Sequence, residues 1–206
     1  MLKLFYGKGA CSRASHITLE EAGAQFEAIR MNLKDGEQRK PEYLALNPKG
    51  RVPTLVTDRG VLTETPAVLV YVAQTHPQAN LLGPDDPFAF GQIQSFNSYL
   101  CSTVHVAHAH KQRGARWTDD PAALAALTAN VPKTVAACFE LIENEMFKGP
   151  WVMGDAFTIC DPYLFTLAQW LESDSIDPKR FPKVYDHRNR MSERPAVQRA
   201  IAREEA

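Results

Sequence analysis

The sequence lacks several features that would assign it to a common class. It has no run of about 18 consecutive apolar residues, and its opening stretch up to Tyr6 is too short for the apolar part of a signal peptide. Its formal net charge of -1 lacks the basic excess of a phosphate-binding surface. These absences predict a cytoplasmic protein that acts on a small molecule and binds neither membrane nor nucleic acid.

The sequence also has no Cys-x-x-Cys pair among its four cysteines, which are Cys11, Cys101, Cys138 and Cys160. Neither a zinc ribbon nor a disulfide framework is indicated, so all four are predicted to be free thiols in a reducing compartment. His105 and His108 share a helix face, but no carboxylate or cysteine completes a ligand set at the right spacing. We therefore predict no metal.

Two regimes follow one another along the chain. Strand-like and helical segments alternate up to His76, and helical periodicity alone follows. The prolines Pro77, Pro84 and Pro87 mark the boundary. We predict a first domain at 1–76, a linker at 77–86 and an all-helical domain at 87–206.

The first regime predicts a thioredoxin-like α/β domain. Strands at 2–6 and 26–33 flank a helix at 12–22, which makes a parallel βαβ unit. Strands at 54–57 and 61–63 are separated by a three-residue turn ending in Gly60, and a helix capped by Thr65 follows to about His76. A doubly wound nucleotide fold is disfavoured because the sheet turns antiparallel and G-x-G-x-x-G is absent.

The second regime predicts a helical bundle. Apolar residues recur at helical spacing from Ile93 to Ala107, and a further pattern covers roughly 121–146. Thr158 and Asp161 are spaced as a capping box for a shorter helix, a feature that we interpret as structural.

Cys11 is the residue with the clearest chemical potential. It lies between a strand-end turn and a helix N-terminus, where the helix dipole favours a thiolate and predicts a lowered pKa. A buried structural thiol is the alternative, and it is our prediction for the other cysteines. Ala14 stands where a dithiol thioredoxin has its second cysteine, so a redox cycle would need an external thiol.

Further residues suit a small thiol peptide. Thr65 offers a hydroxyl and helix-terminal N–H groups to a carboxylate, and Glu64 could take an ammonium. A cis bond between Val52 and Pro53 would expose the Val52 backbone to an extended peptide. Lys34, Lys49 and Arg51 would attract a second carboxylate or would simply be solvated surface charges.

These motifs, in this order and spacing, resemble the cytosolic glutathione transferases, most closely the bacterial beta class. The segments that carry the resemblance are Gly9 to Ser12 with Ser15-His16, Asn47 to Pro53, Leu62 to Thr65, and Thr158 to Asp161 before Tyr163-Leu164-Phe165. The resemblance implies a glutathione site built from Cys11, Val52, cis-Pro53, Glu64 and Thr65. The remaining candidates for that site are Ala10, Lys34, Arg51 and Asn97, and His105 is the helical histidine that reaches it by position.

The implied activity is conjugation of the glutathione thiolate to small hydrophobic electrophiles held by the helical domain, in a homodimer with a role in detoxification. Glutathione-dependent disulfide exchange through Cys11 is the related chemistry. Tyr6 is the rival activator of the thiol, because other classes of the family use a tyrosine near the end of the first strand. The alternative from another class is a non-catalytic binding or regulatory protein that keeps the fold.

Overall fold

Four strands form one mixed sheet in the order β2-β1-β3-β4. Their bounds are β1 Leu2–Tyr6, β2 Phe26–Arg30, β3 Thr54–Thr57 and β4 Gly60–Thr63. The structure is a computed structural model and describes residues 1–205. β1 pairs parallel with β2 and antiparallel with β3, and helix α1 (Ser12–Glu21) connects β1 to β2. This topology confirms the predicted thioredoxin-like fold.

Two predicted strand boundaries were wrong. β2 ends at Arg30 because the chain then turns, and the Asn32 N–H donates to the Glu37 carboxylate at 2.7 Å instead of continuing the ladder. Gly60 pairs with Thr57, so the hairpin turn contains two residues rather than three. The φ of Gly60 is +136°, a backbone conformation that a side chain would strain.

The helix after β4 begins one residue earlier than predicted. Helix α3 spans Thr65–Thr75, and Glu64, with a φ of 71°, occupies the capping position. Thr65 is therefore the first helical residue and not the cap, which corrects the sequence interpretation. Between β2 and β3 lie a 3₁₀ turn, Glu37–Arg39, and the short helix α2, Pro41–Leu44.

The regular elements that follow α3 within residues 1–205 are helical, as predicted. α4 (Pro87–Tyr99), a π-helical segment (Leu100–Val104) and α5 (His105–Arg113) run on without a break. α6 (Pro121–Leu141) ends in a second π-helical segment, and α7 (Cys160–Ala168), α8 (Pro182–Ser192) and α9 (Pro195–Glu205) follow. α6 with its π-helical end is long and apolar enough to cross a membrane by length and composition, a test that core helices of soluble proteins also pass.

The capping box before α7 is present. The Thr158 N–H donates to Asp161 Oδ2 at 2.7 Å, and the Cys160 N–H donates to the Thr158 hydroxyl at 3.3 Å. Asp161 is fully buried and its Oδ1 also accepts from the Val152 N–H at 2.9 Å. The carboxylate thus joins α7 to the loop before it, and α7 packs against α1 of the sheet domain.

Candidate active site

A cavity of about 790 Å³ lies between the sheet domain and the helices. The predicted site residues that line it are Ala10, Cys11, Arg51, Val52, Pro53, Glu64, Thr65 and His105. Residues of the helical part that line it without having been predicted include Cys101, Val106, Ala109, Arg113, Arg116 and Tyr163. Residues from six separate segments, one of them at 33–39, therefore meet at one concave surface.

Lys34 and Asn97 are the two candidates that do not line this cavity. Lys34 lies in the turn after β2 and is exposed. Asn97 is fully buried on the core side of α4, and its side-chain amide has no hydrogen-bond partner in the described part of the chain. Helical spacing placed Asn97 correctly on the long helix, but it did not show whether the side chain faces the cavity or the core.

The Cys11 sulfur lies beside the loop before β3. Its S–H donates to the Val52 carbonyl at 3.3 Å, and the Val52–Pro53 peptide bond is cis. Cys11 itself is half-buried and occupies the capping position of α1, where its side chain makes no capping hydrogen bond. The sulfur therefore points toward the Val52 carbonyl, and it accepts no capping hydrogen bond from the N–H groups of α1.

Burial raises the pKa of the Cys11 thiol above its usual 9, although hydrogen bonding from Thr65 and the charge of Arg113 pull it down. The predicted lowering of this pKa was therefore wrong. The physical reason is that desolvation of the thiolate outweighs the helix N-terminus when the side chain does not accept from the helix N–H groups. At neutral pH Cys11 is a thiol and a hydrogen-bond donor.

His105 is neutral at the same pH. Burial, followed by the charge of Arg113, lowers its pKa to about 3. Its ring lies against the Trp170 indole, with ring centroids 5.1 Å apart. His105 is therefore a neutral hydrogen-bonding group at the cavity wall and not a cation.

The turn before Cys11 is fixed by two residues from distant parts of the chain. The Trp170 indole N–H donates to the Gly9 carbonyl at 2.9 Å, and the Gly9 N–H donates to the Glu204 carboxylate at 3.0 Å. Glu204 is fully buried on α9 and also accepts from Arg13 at 2.7 Å. Sequence reasoning missed these contacts because nothing local links residue 9 to residues 170 and 204.

Tyr6, the rival activator, lies elsewhere. Its side chain is buried, its hydroxyl donates to the Arg203 carbonyl at 3.1 Å, and burial raises its pKa above the usual 10. It does not line the cavity. The geometry thus favours Cys11 over Tyr6 as the neighbour of a bound thiol.

The other cysteines and histidines divide between core and cavity. Cys138 and Cys160 are buried, as predicted, but Cys101 lines the cavity, which the apolar helical context did not indicate. His108 Nδ1 lies 2.7 Å from the buried Asp174 carboxylate, and His110 packs edge-on against Trp117. No group of three or more candidate metal ligands comes together within residues 1–205.

A thioredoxin-like domain that presents a cysteine and a cis-proline loop to a helical domain defines a class of thiol-binding proteins. Comparison with known sequences identifies the family. The N-terminal domain model of the glutathione S-transferases matches residues 1–74, and their C-terminal domain model matches residues 100–195. The chain belongs to the glutathione S-transferase family.

Similar proteins cover nearly the whole chain. Glutathione S-transferase GstA of Escherichia coli O157:H7 is 34% identical over 206 residues, 98% of each chain. A glutathione transferase homologue from Sulfitobacter, solved with bound glutathione, is 43% identical, with a TM-score of 0.96 over 98% of each chain. The beta class glutathione S-transferase of Sphingomonas chungbukensis is 31% identical, with a TM-score of 0.86 over 98% of each chain.

Proposed function

We propose that this chain conjugates the thiolate of glutathione, its cosubstrate, to small hydrophobic electrophiles. The observation that carries the proposal is the cavity in which Cys11, the Val52 backbone and Thr65 face a wall of helical residues. Thiol and electrophile would be held side by side there, and such proximity supplies a large part of the rate in two-substrate reactions. In this proposal residues 1–76 bind glutathione, 77–86 link the domains, and 87–206 hold the electrophile.

Glutathione fits the sheet-domain wall through its backbone and its charges. The Val52 N–H makes no hydrogen bond to any residue from 1 to 205, so it is free to pair with an extended peptide. The open N-terminus of α3 at Thr65 would bind a carboxylate. Glu64, which holds Lys49 at 2.6 Å, would take the ammonium, and Ala10 and Arg51 would contact the rest. Lys34 and Asn97 stay predictions.

On glutathione binding the Cys11 S–H would turn from the Val52 carbonyl to the glutathione sulfur, so that Cys11 and His105 would both act as neutral donors toward that sulfur. The raised pKa of Cys11 keeps its S–H in place, and the lowered pKa of His105 keeps its ring uncharged. Hydrogen bonds to a charged acceptor are worth about 1.5–3 kcal/mol, so each donor favours the thiolate over the thiol. The sulfur then attacks the electrophilic carbon, and the leaving group departs with its electron pair.

Replacement of Cys11 tests this role. Cys11→Ala removes the donor and should lower kcat/KM for conjugation of 1-chloro-2,4-dinitrobenzene by about tenfold or more, whereas Cys11→Ser keeps a donor and should lose less. A spectrophotometric pH profile of wild type should show the glutathione thiol titrating below its solution pKa, and Cys11→Ala should shift that titration upward. Equal activity of all three proteins at every pH would contradict the role.

Disulfide exchange is the second candidate, favoured because the Cys11 sulfur itself lines the cavity. The Cys11 thiolate would attack a glutathione mixed disulfide and release the substrate thiol, and free glutathione would then release glutathione disulfide from Cys11. Because the pKa of Cys11 is raised, this rate should climb as the pH rises past 9. Both Cys11→Ala and Cys11→Ser should abolish disulfide exchange, whereas the Cys11→Ser variant should retain conjugation.

Isothermal titration with glutathione separates these enzymes from the non-catalytic alternative. Absence of binding would favour an interaction platform that has kept the fold. From the family resemblance we also propose a homodimer. Light scattering tests this, because a dimer should have twice the chain mass of 23.0 kDa. A cytoplasmic location, in keeping with four free thiols, and a detoxification role stay predictions.

A further inference from the structure

Four arginines line the cavity. Arg39 and Arg51 come from the sheet-domain side, and Arg113 and Arg116 come from the end of α5 and the turn that follows it. Glu64 is the one carboxylate among the described lining residues, and it is paired with Lys49 at 2.6 Å. The cavity therefore carries a large positive excess in a chain whose formal net charge is -1.

These arginines have no carboxylate partner within the described chain. Seven other arginines form ion pairs, namely Arg13, Arg180, Arg188, Arg190, Arg194, Arg199 and Arg203. Burial, followed by the charges of Arg51, Arg113 and Arg39, lowers the pKa of Arg116 below its usual value. Like charges gathered without a counter-ion repel one another, and a bound anion relieves that repulsion.

Bound glutathione accounts for only part of this charge. As the thiolate it carries two carboxylates, one thiolate and one ammonium, and in the proposed complex it would face Arg39, Arg51 and the α3 terminus, which line the sheet-domain side of the cavity. Arg113 and Arg116 lie on the helical side of the cavity, which is also lined by the apolar side chains of Val106 and Ala109 and by the half-exposed Trp117. The proposed function assigns this side of the cavity to the electrophile.

Building on the proposed conjugation, we propose that the electrophile of this protein carries a carboxylate. Arg113 and Arg116 bind that carboxylate, and Val106 and Ala109 contact the apolar body of the same molecule. A planar guanidinium matches a carboxylate with two parallel hydrogen bonds, which makes arginine the suited residue for this group. The cavity then selects an amphiphilic anion over a neutral molecule of equal size.

A matched pair of electrophiles tests the proposal. 4-Chloro-3,5-dinitrobenzoate and its methyl ester react alike: glutathione sulfur bonds to the ring carbon, and the carbon–chlorine bond breaks with loss of chloride. Each kcat/KM is divided by the uncatalysed rate constant of the same compound, so that intrinsic reactivity cancels. Wild type should prefer the carboxylate by about fivefold or more, and added salt should weaken that preference.

The double variant Arg113→Gln/Arg116→Gln should bring this ratio close to unity. Arg59→Gln is the matched control, because Arg59 lies in the β3–β4 turn, is exposed and is remote from the cavity lining. It should leave both the ratio and the rates unchanged. A wild-type ratio near unity, or a ratio that survives in the double variant, overturns the proposal while conjugation of the ester still supports the proposed function.

Binding provides a second measurement that does not need turnover. S-(5-carboxypentyl)glutathione and S-hexylglutathione differ in one terminal carboxylate, and calorimetry should show that wild type prefers the former and that the double variant does not. If the double variant instead weakens both ligands and glutathione equally, Arg113 and Arg116 hold glutathione itself and the proposal is wrong. If wild type binds none of the three ligands, the proposed function fails first.

Discussion

Trp170→Phe should loosen the turn that carries Cys11 while keeping an aromatic ring in place. The Trp170 indole N–H donates to the Gly9 carbonyl at 2.9 Å, and its ring stacks on His108 with centroids 4.4 Å apart. Phenylalanine preserves the stacking but cannot donate. The Gly9 carbonyl then loses its partner, while the Gly9 N–H keeps the Glu204 carboxylate.

The magnitude follows from the burial of that carbonyl. A buried acceptor left without a donor costs about 1–3 kcal/mol, and a half-buried one lies toward the lower end because water replaces part of the bond. We therefore expect a loss of about 1–2 kcal/mol, which lowers Tm by roughly 3–6 °C in a chain of this size. The KM for glutathione should rise by about threefold, since the competent turn is populated less.

Thermal unfolding and steady-state kinetics check this prediction, with Trp151→Phe as the control. The Trp151 ring packs on Phe157 and Arg194 away from the cavity, and its indole N–H donates to no residue of the described chain. This variant should lose some stability and leave the KM for glutathione unchanged. If both variants behave alike in KM, the Trp170 hydrogen bond does not position the turn.

Three further changes probe buried ionisable side chains. Glu204→Gln removes the charge that Arg13 faces at 2.7 Å and should cost about 3 kcal/mol in urea unfolding; a loss below 1 would show that the pair is dispensable. Asp161→Ala deprives the buried N–H groups of Thr158 and Val152 of their acceptor and removes the contact with His187 Nε2, so it should cost about 3–5 kcal/mol by the same assay; a loss below about 1 kcal/mol would contradict this. His16 is fully buried and its pKa is lowered to about 4, so it stays neutral in the fold while the unfolded chain gains a proton below 6.5. His16 should therefore contribute a loss of about 3 kcal/mol in stability as the pH drops from 6.5 to 4, beside the loss that His105 causes, and His16→Phe should remove the His16 part of the slope; an unchanged slope would refute the assignment.

The sequence predicted well whatever is encoded locally. Period-two and helical patterns located the sheet and the long helices, and the spacing of Thr158 and Asp161 predicted the capping box. Motif order placed Cys11 and Thr65 at one site although 54 positions separate their numbers in the chain. Such features depend on neighbours within a few residues or on a recognised arrangement of segments, and one sequence contains both.

What failed depended on three-dimensional surroundings. A helix N-terminus predicted a lowered pKa for Cys11, but desolvation by side chains from other segments raises it. Asn97 is buried in the core and does not line the cavity, which its helical period could not indicate, and its role in the site stays a prediction. Arg113 and Arg116 resemble any solvated surface charges until the fold gathers them with Arg51 around one cavity.

The two hydrogen bonds of the Gly9 backbone, to Trp170 and to Glu204, also limit when the β1–α1 turn can be completed during synthesis. A nascent chain leaves the ribosome from its N-terminus, so the β1–α1 turn is synthesised long before Trp170 and longer still before Glu204. Until α9 has emerged and packed against α1, the Gly9 N–H lacks the Glu204 carboxylate as its acceptor. The turn that carries Cys11 is then only partly stabilised. During synthesis, the β1–α1 turn can therefore acquire its full set of hydrogen bonds only after α9 has been made.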